Sequence, residues 1–524
     1  MRVFRASLAS VMGETTEPLR WVYIPYDQLN DGIGALATEP PERLGVLLIE
    51  DPEKARRRPY HRQKLALVLA NQRHFALEQA RRGVHVRYEV GPCAEVISHV
   101  AKEVGPLEMQ RPAEHEHRTL LQPLMGTALL ERPHDGWLTG SDTFRSACGK
   151  PPWRMDAFYR AVRQRTGLLM TEAGKPEGGR YSFDGENRRR WPGAPQPPEM
   201  PRFEPDEVTL EVVALIESRF AHHPGRLDAT ALPATREDAE RLWAWAKGEC
   251  LPTFGPFEDA MSRLQRTLWH TRISPLLNLH RLLPGRVVRE AAGLELPLAS
   301  KEGFVRQVLG WREFVHHVHE ETDGLRDVAD SNRLRANEPL PEAYWGTVKS
   351  GFACLDDVVE SVWEEGYSHH ITRLMVLSNL GTLLGLDPRA LTDWFWVAYT
   401  DAYDWVVEPN VLGMGTFALG ELMTTKPYVS GSAYVNRMSD YCKGCAFHPT
   451  KTCPWTSLYW AFLDRHEDRL AGNFRMSMPL RSLGKRAPER RARDRWVREQ
   501  VLARLRRGSP VGPEDFEDDE SGAA

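Results

Sequence analysis

Between Trp21 and Val90 strand-like and helical segments alternate, and this limits the folds open to the chain. RWVYIPY and RLGVLLIED are apolar runs of strand length. PYHRQKLALVLANQRHFALEQARRG is a long amphipathic helix that stops near Gly83, and VHVRYEV is a strand again. Strand, helix and strand at this spacing predict a βαβ unit and a parallel sheet. GWLTG, near Leu138, is expected to close the domain with another strand. The fold class is therefore an α/β, Rossmann-like N-terminal domain over 1–140, followed by something different.

From about Thr235 to Arg507 the helical period dominates, with Gly and Pro mostly at segment ends. Most of the sixteen tryptophans lie there, which predicts a large all-α domain over 226–507. Between the two, 141–225 holds one helix, DAFYRAVRQRTG, and then a Gly-, Pro- and Arg-rich stretch that reads as a surface connector. The acidic end, 508–524, is expected to be disordered. No internal repeat is evident.

A chain of 524 residues needs neither metal nor disulfides merely to fold. Its net charge of -4 leaves any basic, nucleic-acid-binding surface to local clustering. The N-terminal stretch lacks the long apolar core and cleavage site of a signal peptide, and no run approaches the ~18 apolar residues of a membrane span. A soluble, cytoplasmic protein without a membrane partner is expected, and a monomer.

Three of seven cysteines fall within DYCKGCAFHPTKTCPW. Cys442 and Cys445 are three apart, so one turn aims both thiolates at one point, and Cys453 closes a short loop. Such a cluster in a reducing compartment reads as a site for zinc or an iron–sulfur cluster. His448 would complete a zinc site locally; a fourth thiolate must come from elsewhere, and Cys354 sits in the same helical region.

Four other stretches carry chemistry. In EGYSHHITRLMVLSN, His369 and Arg373 share a helical face, and adjacent histidines beside a pocket can supply a general acid, although a histidine pair is more often a hydrogen-bonded surface feature. TDWFWVAYTDAYDWVVEPNVLGM packs Trp394, Phe395, Trp396, Tyr399, Tyr403 and Trp405 together, by default as helical core. FGPFEDAM with WHTRISPLLNL offers Thr271 and Ser274 at a helix start, suited to a phosphate or serving only as a cap. GENRRRW sets Arg188 to Arg190 beside Trp191, fit for phosphate contact and stacking or for a solvated loop. The cluster His316, His317 and His319 has no ligand spacing that marks a metal site.

Taken in order, GKPEGGRYSFDGENR, FGPFEDAM, HTRISPLLNL, GWREF, SHHITRLMVL, DWFWVAYTDAYDWVVEPNVLGM, TKPYVSG and MSDYC resemble the iron–sulfur branch of the photolyase/cryptochrome family, the bacterial cryptochrome and prokaryotic (6-4) photolyase group. The resemblance runs strongly from Ser141 to Leu483. It implies flavin adenine dinucleotide (FAD) in the helical domain, held by Thr271, Arg272, Ser274 and Asn278, by Trp311, Arg312 and Glu313, and by Asn410, with Arg373 and Asp401 as an ion pair beside the flavin ring. It implies His370, with His369 behind it, as proton donor to a lesion flipped out of UV-damaged DNA. It implies Trp394 and an outer Trp345 as an electron-transfer path that passes around Phe395. It implies a 4Fe–4S cluster on Cys354, Cys442, Cys445 and Cys453, and a lumazine antenna (6,7-dimethyl-8-ribityllumazine) in the N-terminal domain.

Two features depart from the family pattern. The Cys445–Cys453 loop is short and contains His448, and the family's Gly-Asp-Gln-Leu turn is Tyr26-Asp27-Gln28-Leu29 here. The implied activity is light-driven repair of (6-4) photoproducts; repair of cyclobutane dimers, blue-light sensing without repair, or a flavin-free nucleic-acid-binding protein with a zinc knuckle are the alternatives.

Overall fold

The computed structural model describes residues 1–12, 18–326, 328 and 331–516. Five strands, β1 (Arg20–Tyr23), β2 (Leu44–Glu50), β3 (His85–Val90), β4 (Leu107–Gln110) and β5 (Leu129–Arg132), form one sheet in the order β3-β2-β1-β4-β5. All four pairings are parallel. The continuous apolar run of β2 follows from burial on both faces. Val46 and Leu48 pack with Phe4, Phe75 and Leu77 on one side. Leu47 and Ile49 pack with Ile97, Val100 and Leu107 on the other.

The chain steps outward from β1 to β2 and β3, then returns to β4 on the far side of β1. A crevice opens at the carboxyl ends of strands where the order reverses, the usual ligand position in such sheets. Here Tyr23, Ile49, Asp51, Cys93 and His117 wall a cavity of about 390 Å³ whose roof is Trp396 and Tyr403 of the helical domain.

Three expectations need correction. GWLTG is a turn rather than a strand, because the Leu138 and Thr139 N–H groups donate to the Glu313 carboxylate at 3.0 and 2.9 Å. The connector is partly core: the helix Glu207–Arg219, capped by Asp206, buries Val208, Val212 and Ile216 and packs on the helix Arg62–Arg81. The acidic end is ordered up to Phe516: the buried Val511 donates its N–H to the Ser350 carbonyl, and Phe516 meets Phe447 at 6.0 Å. The expectation of disorder for 517–524 lies outside the described residues.

The remainder is helical, around two large apolar cores. Among the described residues no helix is long and apolar enough to cross a membrane. Of the four π-helical turns among the described residues, three, Arg306–Arg312, Arg373–Ser378 and Glu408–Gly415, widen the helices at one place. Such bulges re-aim side chains and are frequent at functional sites.

Candidate functional site

These three π-helical turns contribute to one recess of about 300 Å³. Trp311 and Arg312 come from the first, Arg373 from the second, Asn410 and Met414 from the third. Thr271, Arg272, Ser274, Asn278, Asp401 and His370 complete the set brought together there. Its size and its mixture of apolar walls with a few polar groups suit an organic cofactor.

Arg373 and Asp401 make two parallel hydrogen bonds, Nη1–Oδ1 at 2.9 Å and Nη2–Oδ2 at 3.0 Å. Arg373 Nε donates to the Ser368 carbonyl at 2.7 Å, and the guanidinium lies 4.0 Å from the Tyr399 ring centroid. Burial alone would push the Asp401 carboxyl up, but Arg373, aided by the Ser274 hydroxyl, holds it below the usual carboxylate range. The pair is thus a charged fixture in the wall.

Some expected ligands are already engaged. Ser274 donates to Asp401 Oδ2 at 2.6 Å, and Asn278 Nδ2 donates to the Asp401 carbonyl at 2.8 Å. Arg272 adopts a left-handed backbone at φ 58°, pairs with Glu365 at 2.7 Å and stacks on Tyr367. Arg312 donates to the Leu277 carbonyl at 3.1 Å and stacks on Trp137. Glu313 does not line the recess: it is fully buried and accepts from Leu138 N, Thr139 N and Thr139 Oγ1, tying the N-terminal domain to this helix.

The two histidines divide. His370 lines the recess with its side chain exposed to solvent; the walls crowding it, then the Arg373 charge, push its pKa down to about 4. His369 is buried behind, stacked on His270 with ring centroids 4.4 Å apart. At the mouth Arg188 pairs with Asp184, Arg306 lies 3.5 Å from Asp184, and Tyr434 donates to Asp259 at 3.5 Å. Arg188, Arg189 and Arg190 are exposed, and Arg190 lies within the field of Cys442. Burial, then Glu258, pushes Asp259 up to about 7.

Cys354, at the start of the helix Ala353–Glu365, joins Cys442, Cys445 and Cys453 around one small cavity walled by Phe352, Tyr441, Phe447 and Trp455. All seven cysteines are free. Burial first, then the other three thiols, pushes the Cys354 thiol well up. Among the described residues, no three His, Cys, Asp or Glu side chains close on one point as ligands of a single ion. His448 is exposed, is no part of that lining, and accepts at Nδ1 from the Thr450 N–H at 3.3 Å.

The tryptophans form a chain of rings that includes Trp363 between Trp394 and Trp345. Phe395 lines the recess, and Trp394 lies behind it at 5.1 Å. Trp363 meets Trp394 edge-on at 6.0 Å and stacks on Trp345 at 5.7 Å, with Trp345 at the surface. Trp363 and Trp394 both donate Nε1–H to the Tyr344 carbonyl at 2.9 Å, which fixes their geometry. A single tryptophan on an amphipathic helix gave no sequence signal for this role.

Comparison with known proteins accords with this architecture. The model of the deoxyribodipyrimidine photo-lyase-related protein family matches residues 22–232, and that of the FAD binding domain of DNA photolyase matches residues 304–439. A (6-4) photolyase of Agrobacterium fabrum is 35% identical over 483 residues, covering 87% of this chain and 94% of that one. A bacterial class III photolyase from Agrobacterium tumefaciens shares the fold with a TM-score of 0.56 at 15% identity, over 94% of this chain and 98% of that one. A cryptochrome of Synechocystis sp. PCC6803 shares it with a TM-score of 0.50 at 17% identity, over 77% and 83%. With a relative of that identity matched over nearly its whole length, and with both family models in chain order on the two domains described, the chain belongs to the photolyase-related family.

Proposed function

We propose that the protein is a light-driven DNA repair enzyme acting on (6-4) photoproducts, with FAD as its cofactor. The observation that carries this reading is one recess that presents His370 beside the Arg373–Asp401 pair. The recess fits a flavin: Trp311 and Met414 give apolar surface, Arg373 a fixed cation, and Asn278, Arg312 and Asn410 polar groups for the rest of the dinucleotide. Bound FAD supplies the light-driven electron.

The chain's own residues do the remainder. Arg188 to Arg190 hold the phosphate backbone while the damaged bases turn into the recess. Arg373, locked by Asp401 and the Ser368 carbonyl, holds a fixed positive charge in the recess wall, which would favour a reduced, anionic flavin bound there. His370, neutral at pH 7 in this environment, gains its proton as the polyanion approaches and passes it to the lesion. His369 buttresses it through the stack on His270. Trp394, Trp363 and Trp345 carry electrons between the surface and the recess, with Tyr399, stacked on Phe395, as the way around that phenylalanine.

The same proposal includes a 4Fe–4S cluster on Cys354, Cys442, Cys445 and Cys453. Four thiols line one cavity, the number that a 4Fe–4S cluster takes, and His448 is turned into its own loop. A lumazine antenna fits the crevice at the sheet's carboxyl ends, where Tyr23, Tyr26, Tyr403 and Trp396 offer aromatic faces to a flat heterocycle. One chain contains every group named, which supports a monomer. Seven free thiols support the reducing cytoplasm as its place.

The test is illumination of the reduced protein with an oligonucleotide carrying one (6-4) photoproduct, following restoration of the two bases. A flavin-loaded, reduced wild type that restores none would sink the repair reading in favour of light sensing; restoration of cyclobutane dimers alone would change the lesion. With an active wild type, His370→Ala should abolish turnover and leave flavin absorption unchanged.

A further inference from the structure

Phe474 is 87% exposed, and Met478, one turn further along the same face, is 72% exposed. They stand on the segment formed by the short turn Phe474–Met476 and the helix Ser477–Gly484. This segment's core-facing side is already filled: Leu470, Met476 and Leu483 are buried. The outward apolar pair is therefore not a misplaced core. Exposed Arg475, Arg481 and Lys485 surround it. An apolar tip ringed by cations does not suit an ordinary protein partner with an apolar core; it suits a polyanion that has an apolar interior to offer.

Hydrogen bonds tie the segment to the stretch of chain that leads toward the recess. Asn473 Nδ2 donates to Glu421 Oε1 and to the Thr425 carbonyl, both at 2.9 Å. Three residues beyond Thr425, the Tyr428 hydroxyl lies within the fields of Asp184, Arg188 and Arg475, which ties the segment to the groups of the mouth. Ser430 exchanges hydrogen bonds with Asn379, next to Ser378 of the recess wall. When bases leave a duplex to enter the recess, they leave a gap in the stack, and filling such a gap with an aromatic or aliphatic side chain lowers the cost of keeping it open.

We propose that Phe474, seconded by Met478, is a wedge that occupies the gap left in a damaged DNA duplex, with Arg475, Arg481 and Lys485 on the flanking phosphates. This rests on the reading of the protein as a DNA repair enzyme. It separates two tasks: the recess reads the lesion, and the wedge makes a duplex affordable as a substrate. Single strands have no stack to hold open and do not need it.

The experiment measures anisotropy of the full-length protein on a duplex with one (6-4) photoproduct, on the same lesion in a single strand, and on undamaged duplex. A 2-aminopurine opposite the lesion reports unstacking. Phe474→Ala should bind the damaged duplex roughly tenfold more weakly, in line with the loss of one stacking contact, and lose the 2-aminopurine signal while binding the single strand as wild type does. Phe474→Trp should restore both. A side chain this exposed supports no core, so the thermal midpoint should not move; a fall in midpoint that accounts for the weaker binding would overturn the proposal. Equal binding of duplex by wild type and Phe474→Ala would overturn the wedge alone. A wild type that does not distinguish damaged from undamaged duplex would overturn the wedge and the repair reading together. A concentration-dependent dimer that Phe474→Ala dissolves would make the patch a contact between copies and overturn the wedge.

Discussion

Arg373 and Asp401 face each other across the recess wall through hydrogen bonds of 2.9 and 3.0 Å, and neither can move without the other. Asp401 is 5% exposed and carries the Ser274 hydroxyl on the same oxygen that meets Arg373 Nη2. Removing one partner of such a pair leaves a buried charge uncompensated, at a cost of about 3–5 kcal/mol. Arg373→Met and Asp401→Leu should each lower urea-unfolding stability by that order. The double variant should lose much less than the sum, because no charge is stranded. Additive losses would show that the two residues act separately.

The cysteine set makes an analytical prediction. Anaerobically purified protein should contain iron and acid-labile sulfide, and Cys354→Ala should lose both. His448→Ala should lose neither, since its ring hydrogen-bonds Thr450 and is absent from the cavity lining. Zinc in place of iron, lost on His448→Ala, would instead make this a zinc site with His448 as its local fourth ligand.

His370 gives a pH prediction whose sign is fixed. The recess walls, then Arg373, bring its pKa to about 4, below the ~6.5 of an unfolded chain; because the ring is exposed to solvent, which screens these effects, the contribution to stability is small. Between these values the unfolded chain takes up a proton that the folded protein refuses, so this contribution to stability is intact above about pH 6.5 and is lost as pH falls toward 4. His370→Asn cannot titrate and should lose less stability than wild type over that window. Nuclear magnetic resonance of the His370 ring should further show its pKa rising when DNA binds, by an amount that shrinks with added salt. A pKa unmoved by DNA would remove the coupling of protonation to substrate binding.

What could be read from the sequence depended on distance along the chain. Thr271, Ser274, His370, Arg373 and Asp401 sit in short stretches whose neighbours identify them, and all reach the recess. Glu313 departs from the expectation for a geometric reason: successive residues on a helix point about 100° apart, so Trp311, Arg312 and Glu313 cannot all face one cavity. Trp311 and Arg312 do, and Glu313 turns to the N-terminal domain. The four-residue strands β4 and β5 are too short to carry a period of their own. The helix Glu207–Arg219 was hidden by the proline-rich residues before it, although Asp206 is an ordinary N-cap. Trp363 owes its meaning to Trp394 and Trp345, which only folding brings to it.

Trp363 therefore supplies the most discriminating test of the electron path. Its ring stands between the buried Trp394 and the surface Trp345, at 6.0 and 5.7 Å, and no direct ring contact joins those two among the described residues. Trp363→Phe keeps the shape and the stack but loses the readily oxidised indole and one hydrogen bond to the Tyr344 carbonyl. Photoreduction of oxidised flavin under blue light should slow by at least tenfold, and the long-lived tryptophan radical signal should weaken. Repair by enzyme reduced chemically beforehand should be unchanged, because that reaction needs no electron from the surface. Equal photoreduction in wild type and Trp363→Phe would mean that electrons reach the recess by another route. Slower repair by the pre-reduced variant would instead assign Trp363 a structural part in holding Trp394.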